Sequence, residues 1–156
     1  MGSNIGNRIE HLKDAESLLV KKGIAAINKS GIYETKPWGR EDQNWFLNIV
    51  LEVETSLLPE RLLQEILSVE TELGRTRKEK WGARIIDIDI LYYHDQIIET
   101  ENLTIPHPGI PDRKFTLIPL VEICPLKRHP TSKKTQVRLL AECSDPLDCV
   151  LTEYKL

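Results

Sequence analysis

The chain has 156 residues, 40% of them hydrophobic and 29% charged, with a formal net charge of −3. That length supports one domain, residues 1–156, with a real core, and the negative balance argues against a general nucleic-acid binder. No apolar run approaches the ~20 residues of a membrane span and no signal peptide is visible; the three cysteines, Cys124, Cys143 and Cys149, are odd in number and lack metal-ligand spacing, so reduced thiols in a cytoplasmic protein are expected.

Residues 2–7 read Gly-Ser-Asn-Ile-Gly-Asn, a turn-rich loop. Arg8 to Lys22 follows as an amphipathic helix, with Ile9, Leu12, Ala15 and Leu19 on one face and Gly23 as its stop. Ile24 to Thr35 reads as strand, and Lys36 to Asn44, with Pro37 and Gly39, as loop. Trp45 to Thr55 alternates cleanly, with Leu47, Ile49, Leu51 and Val53 on one face and Phe46 and Asn48 on the other. An aromatic and an amide side by side at a strand end suit a planar ligand. Pro59 opens a helix to about Leu73, stopped by Gly74. Its stripe of Leu62, Leu63, Ile66, Leu67 and Leu73 includes Glu70, and an acid on a buried stripe is either paired or ligand-facing.

The next segment is the most informative. A cationic loop with Arg75, Arg77, Lys78, Lys80 and Arg84 runs into an Ile-rich strand, Arg84 to Tyr93, that carries Asp87 and Asp89. Two residues along a strand span about 6.6–7 Å, so both carboxylates share one face at a spacing that suits hard cations. Carboxylates in so apolar a strand need a partner, a metal or a polar cleft. Beside an arginine cluster they are what polyphosphate transfer uses. His94-Asp95 then fits a hairpin turn into Gln96 to Glu99. Thr104 to Pro108 is extended by its prolines, Arg113 to Ile123 is helical despite Pro119, Lys134 to Glu142 is a last helix, and Cys149 to Tyr154 could pair as a short strand. His11, His94 and His129 read as surface residues. The order suggests an α+β, ferredoxin-like βαββαβ core on a mainly antiparallel sheet, with the first strand apparently missing.

Residues 80–91, Lys-Trp-Gly-Ala-Arg-Ile-Ile-Asp-Ile-Asp-Ile-Leu, resemble the signature of the 6-hydroxymethyl-7,8-dihydropterin pyrophosphokinases of folate biosynthesis. Further blocks match in order, among them Gly2-Ser3-Asn4, Tyr33-Glu34-Thr35 with Pro37-Trp38-Gly39, Phe46-Leu47-Asn48, Glu70 with Gly74-Arg75-Thr76-Arg77, Leu103 to His107, and Asp112 to Phe115. The resemblance implies transfer of the β,γ-diphosphate of ATP to the pterin hydroxymethyl group, with release of AMP. It implies two Mg²⁺ ions on Asp87 and Asp89, and phosphate neutralisation by Arg77 and Arg84. It also implies nucleotide contacts from Glu70, Arg75, Trp81, Ile90, His107 and Arg113. The pterin would lie between Phe46 and Phe115, read by Asn48 and by backbone near Thr35 and Gly2, with Trp38 on a covering loop. The implied partners are ATP and a reduced pterin, with no nucleic acid and no membrane, for a monomer. The resemblance also implies a strand upstream of Gly2, so weak stability or a gap in the sheet is expected unless the tail fills that place. A ligand-binding module without turnover would need neither paired aspartates nor an arginine loop. A nucleic-acid-binding sheet would carry aromatics and basic residues where the aspartates stand.

Overall fold

The computed structural model describes residues 1–37, 43–75 and 84–156; the expectations for Trp38, Arg77 and Trp81 lie outside the described residues. The fold is mixed α+β with antiparallel pairing. Helix α1 (Arg8–Lys21) begins at Asn7, whose side chain accepts from the Glu10 amide, and ends before Gly23, where φ is +77°. Helix α2 (Pro59–Glu72) has proline in its first turn and closes at Gly74, φ +86°. Both glycines adopt the left-handed turn that side chains resist.

The sheet is built on one long, bent antiparallel ribbon. Strands β2 (Ala25–Lys29) and β3 (Tyr33–Thr35) form one arm, and β4 (Phe46–Asn48) and β5 (Leu51–Glu54) the other. β2 pairs with β5, with a register shift between Ala26 and Asn28, and β3 pairs with β4. Ser30 holds the bend: its amide donates to the Val50 carbonyl, and its Oγ accepts from the Val50 amide, each at 3.0 Å. On the far side of β4 lies β1 (Gly2–Ser3). β1 bridges in turn to Asp87. Strand β8 (Cys149–Leu151) joins the opposite edge, against β3. The spatial order is therefore Asp87, β1, β4, β3, β8, and the tail strand closes an outer edge of the sheet.

Alternation sends the two faces of this sheet to two cores. Leu47, Ile49, Ile86 and Ile88 pack on Leu12, Ala15 and Leu19 of α1 and on Leu62, Ile66 and Val69 of α2. The other face meets helix α3 (Lys114–Ile123) and helix α4 (Gln136–Glu142) through Val50, Leu91 and Tyr92. Glu122 of α3 fastens this layer, its carboxylate accepting from the Gly31 amide and the Tyr33 hydroxyl, both at 2.9 Å. Burial, with Glu122 beside it, pushes the Tyr33 phenol up to about 12.

Three expectations are corrected. Residues 84–93 do not form a regular strand; their ladder is the single bridge at Asp87. A turn does form at His94, φ +51°, but strand β6 (Ile98–Glu99) pairs with β7 (Thr104–Ile105) and not with the aspartate segment. His129 is no surface residue. It is 7% exposed, and its ring Nδ1 accepts from the amides of Thr131 and Ser132 at 3.3 and 3.4 Å.

Burial lowers the His129 pKa from the ordinary 6.5. A depressed histidine contributes stability that is present above 6.5 and is lost as pH falls through the lowered folded value. Urea melts between pH 7.5 and 5 should show stability falling with pH. His129→Asn, which keeps an acceptor for the two amides, should flatten part of that slope. An unchanged slope in the variant would assign the pH dependence elsewhere.

Candidate active site

A cavity of about 930 Å³ opens along the α3 side of the sheet, within the size range of ligand pockets. One end is lined by Gly2, Thr35, Phe46, Asn48 and Phe115, and next to it lie Arg84, Asp87, Asp89, Ile90, His107 and Arg113. The sequence scatters these residues over more than a hundred positions. The sheet order gathers them, because β1 lies between Asn48 on one side and Asp87 on the other.

At the amide end, Asn48 Nδ2 donates to Thr35 Oγ1 at 2.7 Å. That bond fixes the amide orientation and leaves Oδ1 toward β1. A Cβ on Gly2 would stand 2.5 Å from that oxygen, so only glycine fits there. The Gly2 backbone is engaged in the sheet: its amide donates to the Asp87 carbonyl and its carbonyl accepts from the Asp87 amide, each at 2.8 Å. Those groups hold the sheet, and Gly2 serves the cavity by being small.

At the carboxylate end, Asp87 carries two guanidinium groups. Arg75 reaches Oδ1 at 2.8 Å, and Arg84 pairs with Oδ2. Asp89 is exposed, lines the cavity, and has no hydrogen-bond or ion-pair partner among the described residues. His107 is half-buried, and its Nδ1 accepts from the Gly109 amide at 3.0 Å. Burial lowers its pKa, against the pull of Asp89, and nearby Arg113 lowers it further. The neutral ring therefore carries its proton on Nε2. Arg113 packs over the Phe115 ring at 5.8 Å, which ties the two ends of the site together.

Glu70 and Arg75 are not among the residues that line the cavity. Glu70 is 2% exposed; its Oε1 accepts from the Ile88 amide at 2.7 Å and pairs with Arg75. Arg75 thus bridges Glu70 to Asp87 from beneath the sheet. Burial raises the Glu70 pKa, partly offset by the Ile88 amide and Arg75. The sequence marks Asn4 as part of a turn and of the Gly2-Ser3-Asn4 block, with no role of its own. It is buried, accepts from the Arg84 amide through Oδ1 at 2.7 Å, and donates to Gln43 Oε1 and the Asn44 carbonyl, each at 3.2 Å. It pins the start of the aspartate segment to the loop before β4. Its only sequence signal was its place beside Gly2 and Ser3.

Two carboxylates suit Mg²⁺, which takes one or two from the protein and keeps waters and phosphate oxygens for its other positions. The donor set fits. Asp87 and Asp89 face one cavity, and among the described residues no three His, Cys, Asp or Glu groups gather to enclose an ion.

Residues 1–125 match the family model of the 7,8-dihydro-6-hydroxymethylpterin-pyrophosphokinases. The chain belongs to this family. It is 47% identical over 137 residues to a Bacillus subtilis protein named 2-amino-4-hydroxy-6-hydroxymethyldihydropteridine pyrophosphokinase, covering 86% of this chain and 82% of the relative. A protein of the same name from Aquifex aeolicus is 46% identical over 153 residues, covering 97% of this chain and 94% of the relative. The folic acid synthesis protein fol1 of Pneumocystis carinii is 45% identical over 132 residues, 85% of this chain but 18% of that longer protein.

The buried Glu70 carboxyl yields a stability test for this pyrophosphokinase family member. Its raised pKa means that its contribution is fully present below the ordinary 4.5 and declines as pH rises through the folded value. Glu70→Gln keeps an acceptor for the Ile88 amide but does not titrate, so wild type minus variant stability should shrink between pH 4.5 and 8. Glu70→Ala leaves that amide without its acceptor and Arg75 with Asp87 alone, and should cost about 3 kcal/mol. A loss under about 1 kcal/mol would mean that water replaces the carboxylate.

Proposed function

We propose that this chain transfers the β,γ-diphosphate of ATP to the hydroxymethyl group of 6-hydroxymethyl-7,8-dihydropterin, releasing AMP, as a step of folate biosynthesis. The observation that carries this reading is the single cavity that joins a wall of two aromatics and an amide to a pair of aspartates flanked by arginine. Family membership supplies the reaction class, and the cavity supplies a place for each reactant.

The pterin ring lies between Phe46 and Phe115. Asn48, oriented by Thr35, pairs with the polar edge of the ring, and a site built to hydrogen-bond a heterocycle rejects rings that leave its groups unpaired. ATP extends from there past Asp87, Asp89 and Ile90 toward His107 and Arg113. Arg84 meets the phosphates with a planar, always-charged fork, and His107 offers its Nε2–H. Arg77, Trp81 and Trp38 keep the lid and phosphate roles that the resemblance implies. Asp87 and Asp89 would hold two Mg²⁺ ions, whose chemistry there is phosphate charge neutralisation and a lowered hydroxyl pKa. No described side chain is needed as a base. Positioning and electrostatics carry phosphoryl-type transfer.

The proposal includes one domain with a ferredoxin-like core. It is supported by the element order β1, α1, two ribbon arms, α2 and the aspartate segment. It also places the protein in the cytoplasm as a monomer; the three cysteines are unpaired, and no helix among the described residues is long and apolar enough to cross a membrane.

AMP formation from ATP and Mg²⁺ should depend on the reduced pterin and fall at least about a hundredfold in Asp87→Ala and in Asp89→Ala. Folded variants that keep full rates would remove the aspartates from the chemistry. Asn48→Ala should raise the KM for the pterin about tenfold, the worth of one good hydrogen bond, and leave the KM for ATP unchanged. Equal rises in both would make Asn48 a structural residue.

A further inference from the structure

Helix α3 begins without a cap of its own. Arg113 stands at its N-cap position and makes no side-chain bond to the first turn, and that turn carries no acid. The open amides and the positive end of the helix dipole favour an acceptor and a negative charge there. Both come from another part of the chain. Asp145, in the loop after α4, is buried, and its Oδ2 accepts from the Lys114 amide at 2.9 Å. Its Oδ1 accepts from the Leu147 amide at 3.0 Å, closing a turn over Pro146. One carboxylate therefore joins the start of α3 to the loop that leads into β8.

That joint lies behind one wall of the cavity. Phe115 is the second residue of α3, and Arg113, just before the helix, packs over its ring. The opposite wall, Phe46, is reached from Asp145 along the sheet. Four residues after Asp145, Cys149 of β8 stands opposite Thr35 of β3, and Thr35 stands opposite Phe46 of β4. Lys36 pairs with Asp148 at 3.0 Å beside that crossing. The two rings are thus the ends of one path that runs from Phe46 through β3, β8 and Asp145 to α3 and Phe115. Ladder bonds make the first crossings, and the Asp145 carboxylate makes the last. Glu122 fastens α3 to Gly31 and Tyr33, but it lies about two turns beyond Phe115. Leu117 and Leu120 bury the inner face of the helix, yet burial is non-directional and does not fix its first turn.

We propose that Asp145 is a positioning residue for the pterin: by capping α3 from the β8 loop, it sets the gap between Phe115 and Phe46. This rests on the reading that the two rings hold the pterin. Asp145 lies outside residues 1–125, the stretch that matches the family model. The physical reason is the steepness of ring contact. An opening of about 0.5–1 Å forfeits roughly a quarter to a half of the dispersion attraction. A helix start released from its cap samples such openings, and the apparent affinity falls with the fraction of chains that keep the closed gap.

Phe46 and Phe115 are the only phenylalanines in the chain. Replacing phenylalanine by para-fluorophenylalanine throughout therefore gives two fluorine resonances, one for each wall, and Phe115→Leu assigns them. The probe is 6-hydroxymethyl-7,8-dihydropterin with Mg²⁺ and α,β-methylene-ATP, which cannot release AMP. In Asp145→Ala the Phe115 resonance should shift or broaden while that of Phe46 stays, and the Kd of the pterin should rise about fivefold. Asp145→Asn keeps one of the two acceptors and should show both changes to a smaller degree; it carries the test if the alanine variant does not fold. Thr135→Ala removes the side-chain cap of α4 and should cost comparable stability with neither change. A Phe115 resonance and a pterin Kd that stay at wild-type values in each folded Asp145 variant would overturn the proposal, as would equal changes in Thr135→Ala. Loss of folding in both Asp145 variants would also overturn it, because Asp145 would then serve the fold and not the gap. Wild-type resonances that ignore bound pterin would overturn the placement of the ring itself, and with it the role of Asp145; that failure is read on the wild type alone.

Discussion

Two backbone hydrogen bonds between Gly2 and Asp87, each 2.8 Å, organise the site. They seat β1 between β4 and the aspartate segment, with Asn48 on one side of Gly2 and the carboxylate of Asp87 on the other. Without that seating, the aromatic and amide end of the cavity and the charged end would have no fixed distance between them. The same seating explains why residue 2 must be glycine: the Asn48 oxygen occupies the space that a methyl group would need. A transfer reaction that gains its rate from positioning depends on such rigidity, because misplacement of about 1 Å costs orders of magnitude.

Beneath this contact lies a second support. Glu70 accepts from the Ile88 amide and holds Arg75, and Arg75 holds Asp87. The helix α2 thereby fixes the aspartate segment by its backbone and by its key side chain at once. A buried ion pair gains little net stability over an apolar substitute. Its value here is geometric, since a hydrocarbon at position 70 could not orient Arg75.

Much of this was legible from the sequence, for physical reasons that also mark where legibility ended. Both long helices could be read because their apolar periodicity ends at a glycine stop, Gly23 or Gly74, and proline opens the second. The extended stretch Trp45 to Thr55 could be read because one of its faces is core, but the bend at Val50 that divides it into β4 and β5 could not. Residues 84–93 carry the same alternation, yet form no regular strand, because a ladder also needs a partner on the edge and periodicity says nothing of partners. Glu70 is open in the sequence between pairing and ligand contact; the structure shows it paired with Arg75 and the Ile88 amide. The residue types of the cavity were legible as a set. The positioning work of Asn4, the bridging by Arg75 and the burial of His129 were not, since each depends on contacts between segments far apart in the chain.

The charge arrangement around Asp87 bears on how the proposed reaction begins. One carboxylate there faces two guanidinium groups, while Asp89 beside it is exposed and forms no ion pair among the described residues. The two aspartates therefore differ before any reactant arrives. Arg75 is held from below by a second acid and has little freedom to leave. Arg84 is more exposed and has no second carboxylate among the described residues, so a polyphosphate entering the cavity can take it as a partner at the cost of one exchange of anions. Because Arg84 lies three residues from Asp87 and its backbone is pinned by Asn4, the exchange needs only side-chain rotation. The site thus keeps Asp87 neutralised while waiting, and can turn Arg84 toward the substrate without moving the sheet.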